Sequence, residues 1–187
     1  MLRRLALLSF TIAWAIAIAF TFRAVSTFAD DANTAKAREL VQAAIKMTNS
    51  DEAVKLLWQA TDLDPTYDEA YIYLGFYYNS RSDPADVVKV YQKLIKNEPK
   101  QVSAYLNVGE AYMTFQPPKT DDAMVYFRKA YEIDHNSFAA LRIGELLAQA
   151  GNRDEALKYL RIALADSSKN PTVSAEAEKT LKEIGAL

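Results

Sequence analysis

The sequence contains no cysteine among its 187 residues. This absence excludes disulfides, thiolate metal ligands, cysteine nucleophiles and a lipidated N-terminal cysteine. His135 is the only histidine, which excludes metal sites built from several histidines. The five glycines form neither a phosphate-cradling loop nor a Gly-x-Ser-x-Gly turn. We therefore expect a protein that is not an enzyme and that holds neither a metal nor a cofactor.

Long basic runs are also missing, because no stretch of Lys and Arg exceeds two residues. The formal net charge is −2 and the isoelectric point is about 5.5. A protein that binds the phosphate backbone is expected to carry a basic stripe. The chain is 50% hydrophobic and 25% charged, which is typical of a folded globular protein. We expect no nucleic-acid partner.

The N-terminus has the parts of an export signal. Arg3 and Arg4 precede eighteen uncharged residues, Leu5 to Phe22, and Arg23 and a polar stretch follow, ending in Thr27-Phe28-Ala29. The run is long enough to suggest a retained anchor, but its alanines, serine and threonines make it only weakly hydrophobic. Two alternatives stay open: cleavage after Ala29, or anchoring by residues 5–22. Either places the body outside the cytoplasm, in the periplasm or a similar compartment, soluble or tethered to the inner membrane. The membrane is a partner only through this segment, if it stays uncut.

Two signatures recur along the rest of the chain at intervals of about 34 residues. The first is Tyr71-x-x-Leu74-Gly75-x-x-Tyr78, which returns as Tyr105-x-x-Val108-Gly109-x-x-Tyr112 and as Ala140-x-x-Ile143-Gly144-x-x-Leu147. The second places a small or branched residue, a large apolar residue four positions later, and Ala or Leu three positions after that: Ala53, Leu57 and Ala60; Val87, Tyr91 and Leu94; Ala123, Phe127 and Ala130; Ala156, Leu160 and Ala163. Spacings of three and four predict two helices per unit. The glycines mark close helix crossings, and the large residues fill the gap beside them.

This 34-residue unit resembles the tetratricopeptide repeat (TPR) over residues 34–170. The resemblance implies an all-α fold, a TPR α-solenoid of four helix pairs plus a C-terminal capping helix. We expect a signal or anchor at 1–29, a short linker at 30–33, and repeats at 34–67, 68–101, 102–136 and 137–170. The capping helix occupies 171–187, with Asn170 as its N-cap, Pro171 at its first position and Gly185 as its stop.

Three departures from the repeat are visible. In the first repeat Val41 replaces the glycine, so this repeat looks like a degenerate N-terminal repeat. The third repeat has two extra residues at the segment FQPPKTDD, and these must lengthen the turn between its two helices. His135 stands in the family's proline position, where we expect a turn residue and not a ligand or base.

Adjacent acidic residues recur about once per repeat, and a unique active site would not repeat in this way. Their positions predict helix starts, where carboxylates meet the helix dipole and cap free N–H groups. The pairs are Asp30-Asp31, Asp51-Glu52, Asp68-Glu69, Asp121-Asp122 and Asp154-Glu155. We expect capping and not catalysis.

The TPR resemblance implies that the first helices line a concave groove that binds polypeptide segments. The candidate groove residues are Arg38, Gln42, Ile72, Phe76, Asn79, Leu106, Glu110, Met113, Leu141 and Glu145. The lysine, asparagine and arginine clamp that some TPR proteins use to hold a chaperone's C-terminal carboxylate is absent. An apolar surface with acidic ends suits an amphipathic or basic-apolar segment. For Ile72, Phe76 and Leu106, packing between repeats is the alternative.

Two functions follow from this surface. The favoured one is a protein–protein interaction module, an exported or membrane-tethered adaptor or assembly factor that holds a partner polypeptide. The alternative is a structural subunit that self-associates or sits permanently in an envelope complex. An apolar face would serve either.

Overall fold

The computed structural model describes residues 31–47, 51–166 and 169–187. The predicted export segment and the cut after Ala29 lie outside this part of the chain. The described residues form helices and no strands, as the all-α prediction requires. The helices are α1 (31–45), α2 (Asp51–Leu63), α3 (Asp68–Ser80), α4 (Pro84–Asn97), α5 (Val102–Met113), α6 (Thr120–Asp134), α7 (Ser137–Gln149), α8 (Arg153–Ala165) and α9 (Pro171–Glu183). None of these helices is both long and apolar enough to cross a membrane.

The chain divides into two compact units, and the division falls inside α3, between Ala70 and Tyr71. In the first unit, α1 and α2 bury small and branched side chains: Ala37, Val41, Ala44, Ala53, Val54, Leu57 and Ala60. Val41, which takes the place of the repeat glycine, is fully buried. Residues 31–33, predicted as a linker, are instead helical and continue directly into the rest of α1. Asp31 and Ala32 suit a first helical turn, since an acid there meets the dipole and alanine favours helix.

Asp64 ties the first unit together at the end of α2. Its carboxylate accepts a 2.6 Å hydrogen bond from Thr34 Oγ1 of α1 and bonds of 2.9 Å and 2.8 Å from the backbone N and Oγ1 of Thr66. Burial alone would raise the pKa of Asp64, but the bonds from Thr34 and Thr66 outweigh it and lower this pKa. The ionised carboxylate therefore holds α1 to the turn after α2.

In the second unit each helix packs on the next from α4 to α9, and α9 also packs back on α7. One core cluster runs through α6 to α9, and its largest fully buried members include Phe127, Ile143, Leu160 and Leu181. The capping helix joins this cluster through Val173, Ala177 and Leu181. The array is thus closed at its C-terminal end by an amphipathic helix.

Each repeat glycine of the second unit faces the large residue of the following helix. A Cβ placed at Gly109 would lie 2.5 Å from Phe127 Cε1, and one placed at Gly144 would lie 2.7 Å from Leu160 Cγ. At Gly75 the added atom would overlap the Tyr91 ring. The close crossings predicted from the spacing are confirmed.

The third repeat absorbs its extra residues in the loop between α5 and α6. Phe127 follows Gly109 by eighteen positions, whereas Tyr91 and Leu160 follow their glycines by sixteen. Lys119 N donates a 3.0 Å hydrogen bond to the Tyr112 carbonyl, which closes the loop at its base. The glycine-to-aromatic contact is therefore kept despite the insertion.

Several helices begin at capping side chains or end near residues with left-handed backbone conformations, where the sequence indicates. Asp83, Asn136 and Asn170 accept N-cap hydrogen bonds at the starts of α4, α7 and α9. His135 ends α6 with φ +56°, and Gly185 follows α9 with φ +66°. The acidic pairs at Asp51, Asp68, Asp121 and Asp154 lie in first helical turns, which confirms their interpretation as helix-start residues.

Candidate binding face of the first helices

The predicted groove residues share a register relative to the repeat glycine, or to Val41 in the first repeat. They lie three positions before it, one position after it and four positions after it. We call the members in the second unit the first-helix face: Ile72, Phe76 and Asn79 of α3; Leu106, Glu110 and Met113 of α5; and Leu141 and Glu145 of α7.

The α3 part of the first-helix face is exposed and apolar. Phe76 is 64% exposed and Ile72, one turn earlier, is 45% exposed. Asn79 lies exposed one turn beyond Phe76. Scattered exposed hydrophobic residues are normal, but two large ones on adjacent turns form a continuous patch. These two side chains are therefore exposed to solvent.

The α5 part is only half exposed. Leu106 and Met113 are partly buried and pack against the core cluster of α6 to α9. Their buried atoms therefore contribute to the packing of α5 on this cluster, and the rest of each side chain remains exposed. Leu106 therefore takes part in packing between helices, and its role in a groove stays a prediction.

Leu141 does not belong to the exposed face, so its assignment to the groove is wrong. Its side chain is fully buried, within the cluster that also holds Ala177 and Leu181 of α9. The physical reason is that α7 is packed against α6, α8 and the capping helix α9, which all contribute to this cluster. The register position that is open on α3 is therefore covered on α7.

Arg142, the next residue along α7, joins the two acidic residues of the face. Its Nε and Nη2 donate to Glu110 Oε1 and Oε2 at 2.7 Å and 3.2 Å. Its Nη1 donates to Glu145 Oε2 at 2.9 Å. The guanidinium also lies 4.8 Å from the centre of the Phe138 ring. Arg142 therefore bridges α5 and α7 with a two-pronged hydrogen bond.

Electrostatics hold this cluster in its charged form. Partial burial alone would lower the pKa of Arg142, but hydrogen bonds and charge attraction from Glu145 and Glu110 raise it overall. The face was predicted to have acidic ends, yet both carboxylates are engaged by one cation. The exposed negative charge is smaller than the sequence indicated.

Two features of this surface were missed in the sequence. Arg142 lies three residues before Glu145, and this spacing favours an ion pair on a helix, so the pair could have been predicted from the sequence. Its partner Glu110 is 32 residues away, so that contact needs the fold. Ile45, four positions after Val41, also shares the register and is 42% exposed.

The remaining predicted residues, Arg38 and Gln42, lie on α1 in the first unit, and both are exposed. Ile45 and Met47 are exposed near them, at 42% and 40%. The first unit thus offers a mixed polar and apolar surface of its own.

A cleft of about 510 Å³ lies between α7 and α9. Arg142, Glu145 and Gln149 line one side, and Glu176, Lys179 and Glu183 line the other. The cleft is rich in charge and poor in apolar surface, so its chemistry differs from that of the α3 patch.

The described ranges bear on the sequence expectation for a metal site. No cluster there has three or more His, Asp or Glu side chains placed to hold a metal ion. His135 lies at the end of α6 with its ring 5.0 Å from the Tyr131 ring.

Solved structures with the same architecture supply the comparison. MamA matches with a TM-score of 0.57 and 25% identity, over 75% of this chain and 77% of MamA. TTC0263, a thermophilic TPR protein of Thermus thermophilus, matches with a TM-score of 0.58 and 18% identity, over 80% of this chain and 84% of its own. The TPR2B domain of yeast Sti1 matches with a TM-score of 0.56 and 24% identity, over 63% of this chain and 94% of that domain.

The fold is that of a TPR α-solenoid. No protein-family model matches the sequence, and no curated protein matches it either. The similarity is therefore one of architecture.

Proposed function

We propose that this protein is a non-enzymatic TPR adaptor or assembly factor that holds a polypeptide segment of a partner on its first-helix face. The observation that carries the proposal is the exposure of Phe76 and Ile72 on adjacent turns of α3. Burial of large apolar side chains is favourable, and contiguous exposed apolar patches are a feature of interaction sites.

The similar structures support a binding role. The Sti1 TPR2B domain was solved in a complex with pHsp70, and the Sti1 TPR2AB domains in a complex with pHSP90. The same helix-pair architecture therefore holds another protein in those cases. In the present chain the first-helix face has an apolar patch at α3 and an ion cluster at α5 and α7, so an amphipathic segment fits it.

We extend the proposal to location. The basic start and apolar run of residues 1–29 favour export, followed by cleavage or by tethering to the membrane. Membrane fractionation and the size of the protein on a denaturing gel separate the two. A full-length band in the membrane fraction indicates tethering, and a shortened soluble band indicates cleavage. A full-length band in the cytosolic fraction contradicts both.

Replacement of Phe76 tests the binding role. Phe76→Glu places a charge in the middle of the α3 patch, so capture of the partner should fall to background while the helical circular dichroism stays unchanged. Val125→Glu is the matched control, because Val125 is also 65% exposed but lies on the second helix of its pair. Capture is measured by pull-down of the exported body from its native envelope, followed by mass spectrometry.

Two outcomes of this experiment contradict the proposal. If Phe76→Glu and Val125→Glu capture the same proteins as the wild type, the patch is not the binding site. If Phe76→Glu unfolds the protein, Phe76 is a packing residue and the face is wrongly assigned.

The same patch would also serve a second copy of the chain, which keeps the structural-subunit alternative in view. Burying Phe76 and Ile72 against an identical surface removes the same apolar area from water. Light scattering over a range of concentrations separates the two: a strict monomer counts against self-association, and a mass that doubles with concentration supports it.

A further inference from the structure

Arg142 occupies the place on the first-helix face that would otherwise carry two free carboxylates. Three of its N–H groups donate to Glu110 and Glu145 at distances of 2.7 Å to 3.2 Å. The donors form a rigid fork, and the Phe138 ring supports the guanidinium from one side at 4.8 Å. The cluster is therefore a fixed feature of the face and not a loose surface pair.

A bound segment can reach this cluster. The side chains of Arg142, Glu110 and Glu145 are 30%, 39% and 23% exposed. Glu110 stands one turn from both Leu106 and Met113 on α5, and Arg142 and Glu145 line the cleft between α7 and α9. The cluster thus lies between the apolar part of the face and its polar end.

The charge of the cluster decides which segments fit. Two carboxylates and one guanidinium sum to −1, whereas the carboxylates alone would give −2. A lysine or arginine of a partner would meet Glu110 and Glu145 with their oxygens already bonded and with the positive Arg142 between them. It gains less attraction there than at two free carboxylates, and it still loses its own hydration.

We infer that Arg142 is a specificity-determining residue: it masks Glu110 and Glu145, so that the face selects an amphipathic segment without a cationic side chain at this point. The inference rests on the proposed function and decides between the two partner chemistries that the sequence left open. With Arg142 in place the face selects an amphipathic segment that is neutral here, and without it the face selects a basic-apolar one.

Two synthetic amphipathic helical peptides test the inference. They share one leucine-rich face and differ only in carrying glutamine or lysine at the polar positions. Affinity is measured by fluorescence anisotropy for the wild type, Arg142→Met, Arg142→Lys and Phe76→Gln. Methionine keeps much of the length and apolar stem of Arg142 without its charge, and Phe76→Gln removes the exposed ring without adding a charge.

The wild type should bind the glutamine peptide at least as well as the lysine peptide. In Arg142→Met the ratio of the affinity for the lysine peptide to the affinity for the glutamine peptide should rise on the order of ten-fold. High salt should cancel this change. Arg142→Lys should move the ratio only part of the way back to the wild-type value, because it returns the charge but not the fork of hydrogen bonds. If Arg142 had only a structural role, Arg142→Met would weaken the binding of both peptides equally and leave the ratio of their affinities unchanged.

The outcomes separate the two proposals. An unchanged ratio in Arg142→Met, or a wild-type preference for lysine, overturns the role of Arg142 while peptide binding itself stands. If the ratio shifts in Arg142→Met but Phe76→Gln binds both peptides as the wild type does, the α3 patch fails and the role of Arg142 survives. Absence of binding by both peptides to every variant overturns the proposed function and this inference together.

Discussion

Phe127 fills the space that a side chain on Gly109 would occupy. A Cβ at position 109 would stand 2.5 Å from Phe127 Cε1 and 2.8 Å from Cδ1 and Cζ, far inside van der Waals contact. Phe127 is fully buried, and so is the neighbouring Val108 of α5. Because the ring is fully buried, it cannot turn out into solvent to make room, so the helix pair α5–α6 depends on the missing side chain.

Replacing Gly109 should therefore strongly destabilise the second unit. We expect Gly109→Leu to lower the free energy of unfolding by about 3 kcal/mol or more, because overpacking forces α5 and α6 apart. Urea denaturation followed by circular dichroism measures the loss. Ser103→Leu, on an exposed position of the same helix, is the control and should change stability little.

A double variant tests the contact itself. The double variant Gly109→Ala/Phe127→Leu should lose less stability than the sum of the losses of the two single variants. The smaller side chain on α6 makes room for the new methyl group. Additive losses would show that Gly109 is needed for some reason other than its contact with Phe127.

This contact explains why the fold is readable in the sequence. A glycine on one helix and a large residue on the next leave a signature at fixed spacing, as at Gly144 and Leu160. The tyrosine-rich helix α3 divides by the same helical phase: Tyr71 is fully buried and Tyr77 is 7% exposed, while Phe76 is 64% exposed. Such local periodicity needs no knowledge of tertiary contacts.

The candidate site was less readable, because its details depend on which helices meet. Leu141 has the register of an exposed residue, yet the neighbouring helices bury it. Glu110 and Arg142 are 32 residues apart, and nothing local pairs them. The pattern thus gives the positions on a helix, whereas neighbouring helices decide the exposure and charge of each.

Tyr91 should make stability depend on alkaline pH. Burial raises the pKa of its hydroxyl to about 12 in the folded state, from 10.0 in the unfolded chain. The folded state therefore holds the proton more tightly, and this contribution is complete below pH 10 and is lost as pH rises through 12. The shift corresponds to a loss of about 2 to 3 kcal/mol.

Comparison with Tyr91→Phe isolates the contribution of Tyr91 ionisation to the free energy of unfolding from that of the other groups that titrate at alkaline pH. The variant lacks the hydroxyl, so its stability should fall less than that of the wild type between pH 9.5 and pH 12. Urea midpoints at several pH values measure the difference. Parallel curves for the two proteins would show that Tyr91 ionises without cost in the folded state.

The N-cap of α7 offers a prediction with an internal control. Asn136 Oδ1 accepts a 3.1 Å hydrogen bond from Ala139 N, whereas Asn152 stands at the same position of α8 without a side-chain cap bond. We expect Asn136→Ala to cost about 1 kcal/mol and Asn152→Ala only a few tenths. Thermal unfolding of both variants measures this, and equal losses would contradict the assignment of the cap.

Leu141 and Leu106 hold the same register on consecutive first helices, so they separate a core position from a half-exposed one. Leu141 is fully buried in the cluster with Ala177 and Leu181, and Leu141→Ala should cost about 2 to 5 kcal/mol, since it leaves a cavity in that cluster. Leu106→Ala should cost less, because its side chain already lies partly in water. Urea denaturation of both variants measures the order. If Leu141→Ala were the milder change, Leu141 would not be buried as described and would return to the list of residues available to a partner.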